Sequence, residues 1–220
     1  MSHAAPTTTA RDSGLTTPIG VGSVRLLGVT VKYKLILADP PWDYRNGGNG
    51  RARAHYNLMT IDQLCEMDVA AHADDDAVLL MWATWPQVEG AMRVGKAWGF
   101  EYVTGFPWLK TYDPPFCDLL GETIVKPTYG TGCWVRGCSE PIFIFRRGKA
   151  KPPLGSWMGL ISERMEHSRK PDTIYEYAES FPGPYLEMFC RRPRAGWHVF
   201  GNEVESDVKL VTPNKQICLP

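Results

Sequence analysis

The 220-residue chain reads as an α/β fold, a sandwich of helices around a largely parallel sheet. Three features point there. Short apolar runs at 33–38 (YKLILA), 77–82 (AVLLMW) and 141–145 (PIFIF) have strand length and are bounded by turn residues. Between them lie stretches with helical spacing and recognisable start and stop signals. An apolar content of 44% suffices to close one core without disulfides or metal.

Residues 1–23 are rich in Ala, Thr, Ser, Gly and Pro and lack hydrophobic periodicity, so they read as a disordered extension. The folded domain is expected over 24–210, with a tail at 211–220. The first strand, 33–38, stops at Asp39-Pro40-Pro41, because two successive prolines cannot continue a central strand. A buried strand thus ends on a rigid, polar-headed loop. Residues 45–54 (RNGGNGRARA) follow as a loop carrying Arg45, Arg51 and Arg53. Thr60-Ile61-Asp62-Gln63 matches a capping box for a short helix with Leu64 and Met67 on its apolar stripe. After the strand at 77–82, residues 86–98 place Val88, Ala91, Met92 and Gly95 at helical spacing and stop at Gly99. A strand at 102–109 comes next, then a glycine- and proline-rich stretch, 110–139, expected to be one long functional loop region. The strand at 141–145 precedes a helix opened by Pro171 and ended before Pro182. Strands at 185–189 and 197–200 complete the order. In such sheets ligands sit at the carboxyl ends of strands, where Asp39 and Cys190 fall.

Charge and cysteine usage narrow the function classes. Twenty-four basic residues balance twenty-four acidic ones, so a nucleic-acid partner would be held by local basic clusters, not by a global field. Six irregularly spaced cysteines without a secretory leader indicate reduced thiols and a cytoplasmic setting. Cys133 and Cys138 lack a second close pair or matching histidines, so no metal site is expected. No apolar run has the length to cross a bilayer. The glycines at 20 and 22 do not form the fingerprint of a nicotinamide or flavin site.

The most informative segment is Asp39-Pro40-Pro41-Trp42. An exocyclic amine is a poor nucleophile because its lone pair is delocalised into the ring. A carboxylate and a nearby backbone carbonyl restore that lone pair by accepting hydrogen bonds from both amino hydrogens. Proline fixes the backbone and removes a competing N–H, so the Pro40 carbonyl can face the amine. Trp42 then offers a flat face on which a flipped or single-stranded base stacks. An ordinary Asp-Pro-Pro turn is the plainer alternative.

Around this segment the chain resembles the DPPW-type, beta-class N6-adenine methyltransferases, a family that includes the eukaryotic messenger-RNA adenine methyltransferase and bacterial and phage DNA-modifying enzymes. The resemblance runs from Tyr33 to Glu205. Besides residues 39–42 it rests on Tyr56, Trp82, Trp98-Gly99-Phe100, Trp108-Leu109-Lys110, Lys170-Pro171-Asp172, Ile174-Tyr175, residues 187–192 (EMFCRR), Gly196-Trp197 and Gly201-Asn202-Glu203. It implies a Rossmann-like fold with a mixed, mostly parallel sheet, helices on both faces and a permuted motif order, catalytic block first. It also implies S-adenosylmethionine as cofactor, with Asp39 at the amine and the methionine part, Lys170 near the cofactor, and Arg191, Asn202 and Glu203 at or beside its ribose. Tyr56 would lie at the target base. The chemistry is apt, since a glutamate can accept both ribose hydroxyls and a lysine can neutralise a carboxylate. Two departures stand out: residues 17–30 hold no acidic residue to read the cofactor adenine, and Glu203 replaces a glutamine of the eukaryotic enzyme.

The expected partner is nucleic acid, DNA ahead of RNA by analogy with compact bacterial and phage members. Phosphate contacts are assigned to Arg45, Arg51 and Arg53 and to the basic run of Arg146, Arg147, Lys149 and Lys151. A homodimer or an assembly with a related subunit stays open. So do an RNA adenine methyltransferase and a non-catalytic nucleic-acid-binding subunit of the same fold.

Overall fold

The computed structural model describes residues 31–43, 58–118, 120–130, 132–155, 157–165 and 169–210. The expected extension at 1–23, the loop residues Arg45, Arg51 and Arg53, Tyr56 and the tail at 211–220 lie outside the described residues.

The elements run β1 (Tyr33–Ala38), α1 (Ile61–Cys65), β2 (Ala73–Trp82), α2 (Val88–Ala97), β3 (Glu101–Thr111), β4 (Phe116–Cys117), β5 (Thr123–Ile124), β6 (Ser139–Arg147), β7 (Leu160–Glu163), α3 (Thr173–Ala178), β8 (Tyr185–Met188) and β9 (Trp197–Phe200). Seven strands form one sheet in the order β7-β3-β6-β2-β1-β8-β9, while β4 and β5 pair separately. The pairs β1/β2, β1/β8, β8/β9 and β3/β7 are parallel, and β6 runs antiparallel to both β2 and β3. The result is the mixed, mostly parallel sheet the sequence led us to expect.

β1 is central and covered on both faces, which is why its sequence is a near-continuous apolar run and not an alternating one. Its side chains still divide by period two. Ile36 and Ala38, with Leu79, Met81, Phe143 and Phe145 of the neighbouring strands, pack under α1 and α2 through Leu64, Ala91 and Val94. Leu35 and Leu37, with Leu80, Trp82 and Ile142, pack on the other face beneath Ile174, Tyr177 and Ala178 of α3. Helices therefore cover both faces. The α2 backbone lies close to the sheet at Gly95, where a Cβ would come within 2.4 Å of the Phe145 ring.

Local signals are realised at several ends. Thr60 Oγ1 accepts from the Gln63 backbone N–H at 3.2 Å while Gln63 Oε1 accepts from the Thr60 N–H at 2.8 Å, the reciprocal cap on α1. Gly99 adopts φ +83° just beyond α2, the left-handed conformation that glycine takes at helix ends.

The boundaries differ from the expectation at several elements. β2 starts at Ala73, drawing in Asp74, Asp75 and Asp76, whose partly or fully exposed side chains cost little at the sheet margin. β6 extends beyond 141–145 to Ser139–Arg147, because β2 and β3 on either side supply backbone partners for Arg146 and Arg147. The expected loop at 110–139 contains the β4–β5 hairpin, and its margins are tied by backbone bonds from Tyr112 to Lys126 and from Thr128 to Lys110. The short edge strand β7 was not anticipated: its four residues carry too little pattern to separate it from a loop.

Candidate active site

The parallel register fixes where the candidate site residues emerge. Ala38 pairs with Met81 on one side and Met188 on the other, so the residues following β1 and β8 emerge at the same end of the sheet. Asp39 follows Ala38, Arg191 lies just beyond β8, and Asn202 and Glu203 are exposed in the turn after β9. Because β6 runs the other way, its first residues, Ser139 and Glu140, reach this end as well.

Lys170, which precedes α3, donates to both carboxylate oxygens of Asp39, at 2.9 and 2.8 Å. Its ammonium also lies 3.7 Å from Glu140 Oε2 and 5.3 Å from the centre of the Trp82 ring. Glu140 is bonded in turn by Lys110, whose ammonium sits 4.6 Å from the Trp108 ring centre. The guanidinium of Arg191 comes to 4.0 Å from Asp39 Oδ2. Two carboxylates and three cations thus alternate over a Trp82–Trp108 floor whose rings meet edge to face at 5.8 Å. Lys110 and Glu140 carried no assigned role in the sequence reading. Their signal was weak, because they sit on strands far apart in sequence that only sheet pairing brings together.

A second network backs this one. Tyr175 Oη donates to Glu187 Oε2 at 2.9 Å, and the Cys190 thiol bonds the Arg192 carbonyl at 3.2 Å. Burial pushes the Glu187 carboxyl above the usual range; hydrogen bonds from Tyr175 and Cys190 oppose this, and Asp39 adds to it. Burial, together with Glu187, pushes the Cys190 thiol up to about 12. Gly201 has to be glycine here, since a Cβ would stand 2.0 Å from the Cys190 carbonyl oxygen; the turns after β8 and β9 cross in contact.

The DPPW loop is a tight turn. The Trp42 N–H donates to the Pro40 carbonyl at 2.9 Å and the Met59 N–H to the Pro41 carbonyl at 2.8 Å. One lone pair of Pro40 is used, and a carbonyl oxygen has two. Trp42 corrects the expectation of an open stacking face. Its side chain is only 6% exposed, its indole N–H donates to the Trp82 carbonyl at 3.2 Å, and the ring belongs to the core beneath α1 and α2. Burying the ring here anchors the loop.

Arg146 and Arg147 are not brought to this cluster. They pair with Val78 and Ala77, whereas the site end of β6 pairs at Trp82, four residues or about 13 Å away. Arg147 donates to the Ala70 carbonyl at 2.9 Å, so its guanidinium fastens the opposite end of the sheet. Among the described residues no group of His, Cys, Asp and Glu is arranged to hold a metal ion, and no helix is long and apolar enough to cross a membrane.

A mostly parallel sheet with helices on both faces and an acid–cation cluster at its carboxyl end defines a Rossmann-like methyltransferase. Residues 33–203 match the MT-A70 family model, and the chain belongs to the MT-A70 family of methyltransferases. It is 30% identical over 209 residues to the Type II methyltransferase M.MunI of Mycoplasma sp, covering 84% of this chain and 82% of that protein. It is 31% identical to the N6-methyladenosine RNA methyltransferase MTA1 of Cryphonectria parasitica, over 78% of this chain and 52% of that one. It is 28% identical to the N(6)-adenosine-methyltransferase catalytic subunit METTL3 of Homo sapiens, over 87% of this chain but 32% of that subunit.

Proposed function

We propose that this methyltransferase transfers a methyl group to the N6 amino group of adenine in a nucleic acid, DNA in preference to RNA, with S-adenosylmethionine as donor. The observation that carries the reading is the Asp39–Lys170 pair at the end of β1, held over the rigid DPPW turn. Relatives named for N6-adenosine methylation support the adenine assignment. The match over 82% of the Mycoplasma type II methyltransferase, against 52% of the fungal RNA methyltransferase, supports DNA.

The donor set suits the cofactor. A methionyl group is a zwitterion, and an ammonium beside a carboxylate complements it: Lys170 would hold its carboxylate and Asp39 its amino group. Asn202 and Glu203 would hold the ribose hydroxyls, with Arg191 beside them. When bound, S-adenosylmethionine supplies an electrophilic methyl on a sulfonium. The protein's part is to make the amine a nucleophile. Asp39 accepts one amino hydrogen and the remaining lone pair of the Pro40 carbonyl accepts the other, localising the nitrogen lone pair. These bonds strengthen as the nitrogen becomes tetrahedral and gains positive charge, so they act on the transition state. The amine's proton leaves after the methyl has arrived.

Labelled-methyl transfer to matched DNA and RNA, followed by nucleoside analysis, tests the reading. The expected product is N6-methyladenine in DNA. Asp39→Asn should lower single-turnover methylation at saturating cofactor partly, and Asp39→Ala on the order of a hundredfold or more. Near-normal methylation by Asp39→Ala would remove the mechanism, and label in another base or in protein would remove the substrate.

A further inference from the structure

At the same end of the sheet one aromatic side chain is both exposed and held. Trp85 opens the 3-10 turn Trp85–Gln87 after β2 and is 53% exposed. Its indole N–H nonetheless donates to Ser139 Oγ at 3.1 Å, and Ser139 is the neighbour of Glu140, the carboxylate beside Lys170. The same turn is tied to the DPPW loop, for Gln87 Nε2 donates to the Asp43 carbonyl at 3.4 Å. An untethered surface tryptophan would sample several rotamers. This one presents a ring fixed at the start of β6, on the sheet face that carries Phe143 and Phe145.

Two strands along, Tyr112 and Tyr129 stand 59% and 70% exposed just beyond β3, their ring centres 6.5 Å apart. The end of β3 is separated from that of β2 by β6, so the strand axes are about 10 Å apart, and Tyr112 lies three residues, about a further 10 Å along the strand, beyond Leu109, the pairing partner of Ser139. That span suits nucleotides of an extended single strand. The described part of the segment between Tyr112 and Tyr129 does not suit a phosphate clamp: it carries Asp113, Asp118 and Glu122 against Lys126. Affinity at this rim has to come from ring faces more than from counterion release.

We propose that Trp85 is the stacking platform for a nucleobase next to the target adenine, with Tyr112 and Tyr129 as the next platform. The enzyme then takes its substrate as an unpaired strand at this rim. The proposal rests on the nucleic-acid reading above and deepens it. Trp42, the aromatic that the sequence suggested for stacking, is buried, and Trp85 supplies the exposed face in its place.

The test uses the full chain and an end-labelled, adenine-containing oligodeoxynucleotide, single-stranded and annealed to its complement. Anisotropy measures binding and single-turnover assays measure methylation of wild type, Trp85→Ala and Trp85→Phe. Wild type should bind the single strand more tightly than the duplex. Trp85→Ala should weaken single-strand binding roughly tenfold to a hundredfold, and Trp85→Phe should recover most of it, while cofactor affinity and melting temperature stay near wild type. Unchanged single-strand affinity in Trp85→Ala, with wild type active, overturns this inference and leaves the adenine reading standing. So does a tighter duplex, or a binding loss that sedimentation traces to dissociation of a dimer. A wild type that binds and methylates no nucleic acid overturns both.

Discussion

The ammonium of Lys170 lies 2.9 and 2.8 Å from the two carboxylate oxygens of Asp39, residues 131 positions apart in the chain. Each neutralises the other, and each is the natural partner of one pole of an amino-acid zwitterion. Lys170→Ala should therefore weaken S-adenosylmethionine binding by about 1.5–3 kcal/mol, the range for a hydrogen bond to a charged group. Lys170→Arg should lose less. Calorimetric titration reads both, and wild-type affinity in Lys170→Ala would take Lys170 out of the cofactor site.

Trp42 should behave as a structural anchor. Trp42→Ala removes a buried ring and should cost about 3–5 kcal/mol of stability, seen as a fall in denaturation midpoint. Trp42→Phe keeps most of the ring but leaves the Trp82 carbonyl without its indole donor, and should cost about 1–3 kcal/mol. A ring that served only as a base platform would show the reverse, with stability kept and substrate binding lost.

Glu187 gives a pH signature. Burial holds its carboxyl above the ordinary range, so the folded chain binds this proton more tightly than the unfolded chain does. Its contribution to stability is fully present below the unfolded glutamate value of about 4.3 and is lost as pH rises through the folded value. Glu187→Gln keeps an acceptor for Tyr175 Oη and removes the charge. It should flatten that decline, so its melting temperature relative to wild type should be higher near neutrality than at pH 4. Parallel melting curves across pH 4–8 check this, and a constant offset would refute it.

Gly95 is a packing requirement. A methyl group there would meet three atoms of the fully buried Phe145 ring at 2.4–2.8 Å. Gly95→Ala should thus destabilise by about 1–3 kcal/mol through overpacking, despite alanine's better helix propensity. A rise in melting temperature would mean that the ring gives way. Pairing Gly95→Ala with Phe145→Leu should recover part of the loss.

The sequence by itself determined the turn after β1, the helix ends and the central strands. Residues 33–38 had to be a buried strand because an apolar run runs into two prolines, and the structure ends β1 at Ala38. Thr60 with Gln63, and Gly99, marked helix ends through bonds and conformations local to a few residues, which is the range over which sequence patterns act. The DPPW segment could be read as a candidate site because carboxylate, proline and carbonyl are adjacent along the chain. Tertiary structure alone decided what lay beyond that range. Pairing of β6 against β2 and β3 carried Glu140 to the site end and Arg146 and Arg147 to the other, although six residues or fewer separate them in sequence. Likewise the packing beneath α1 and α2 decided that Trp42 is buried, while a side-chain hydrogen bond to Ser139 fixed an exposed Trp85. Which face of an aromatic meets solvent depends on neighbours dozens of residues away, and no local pattern records them.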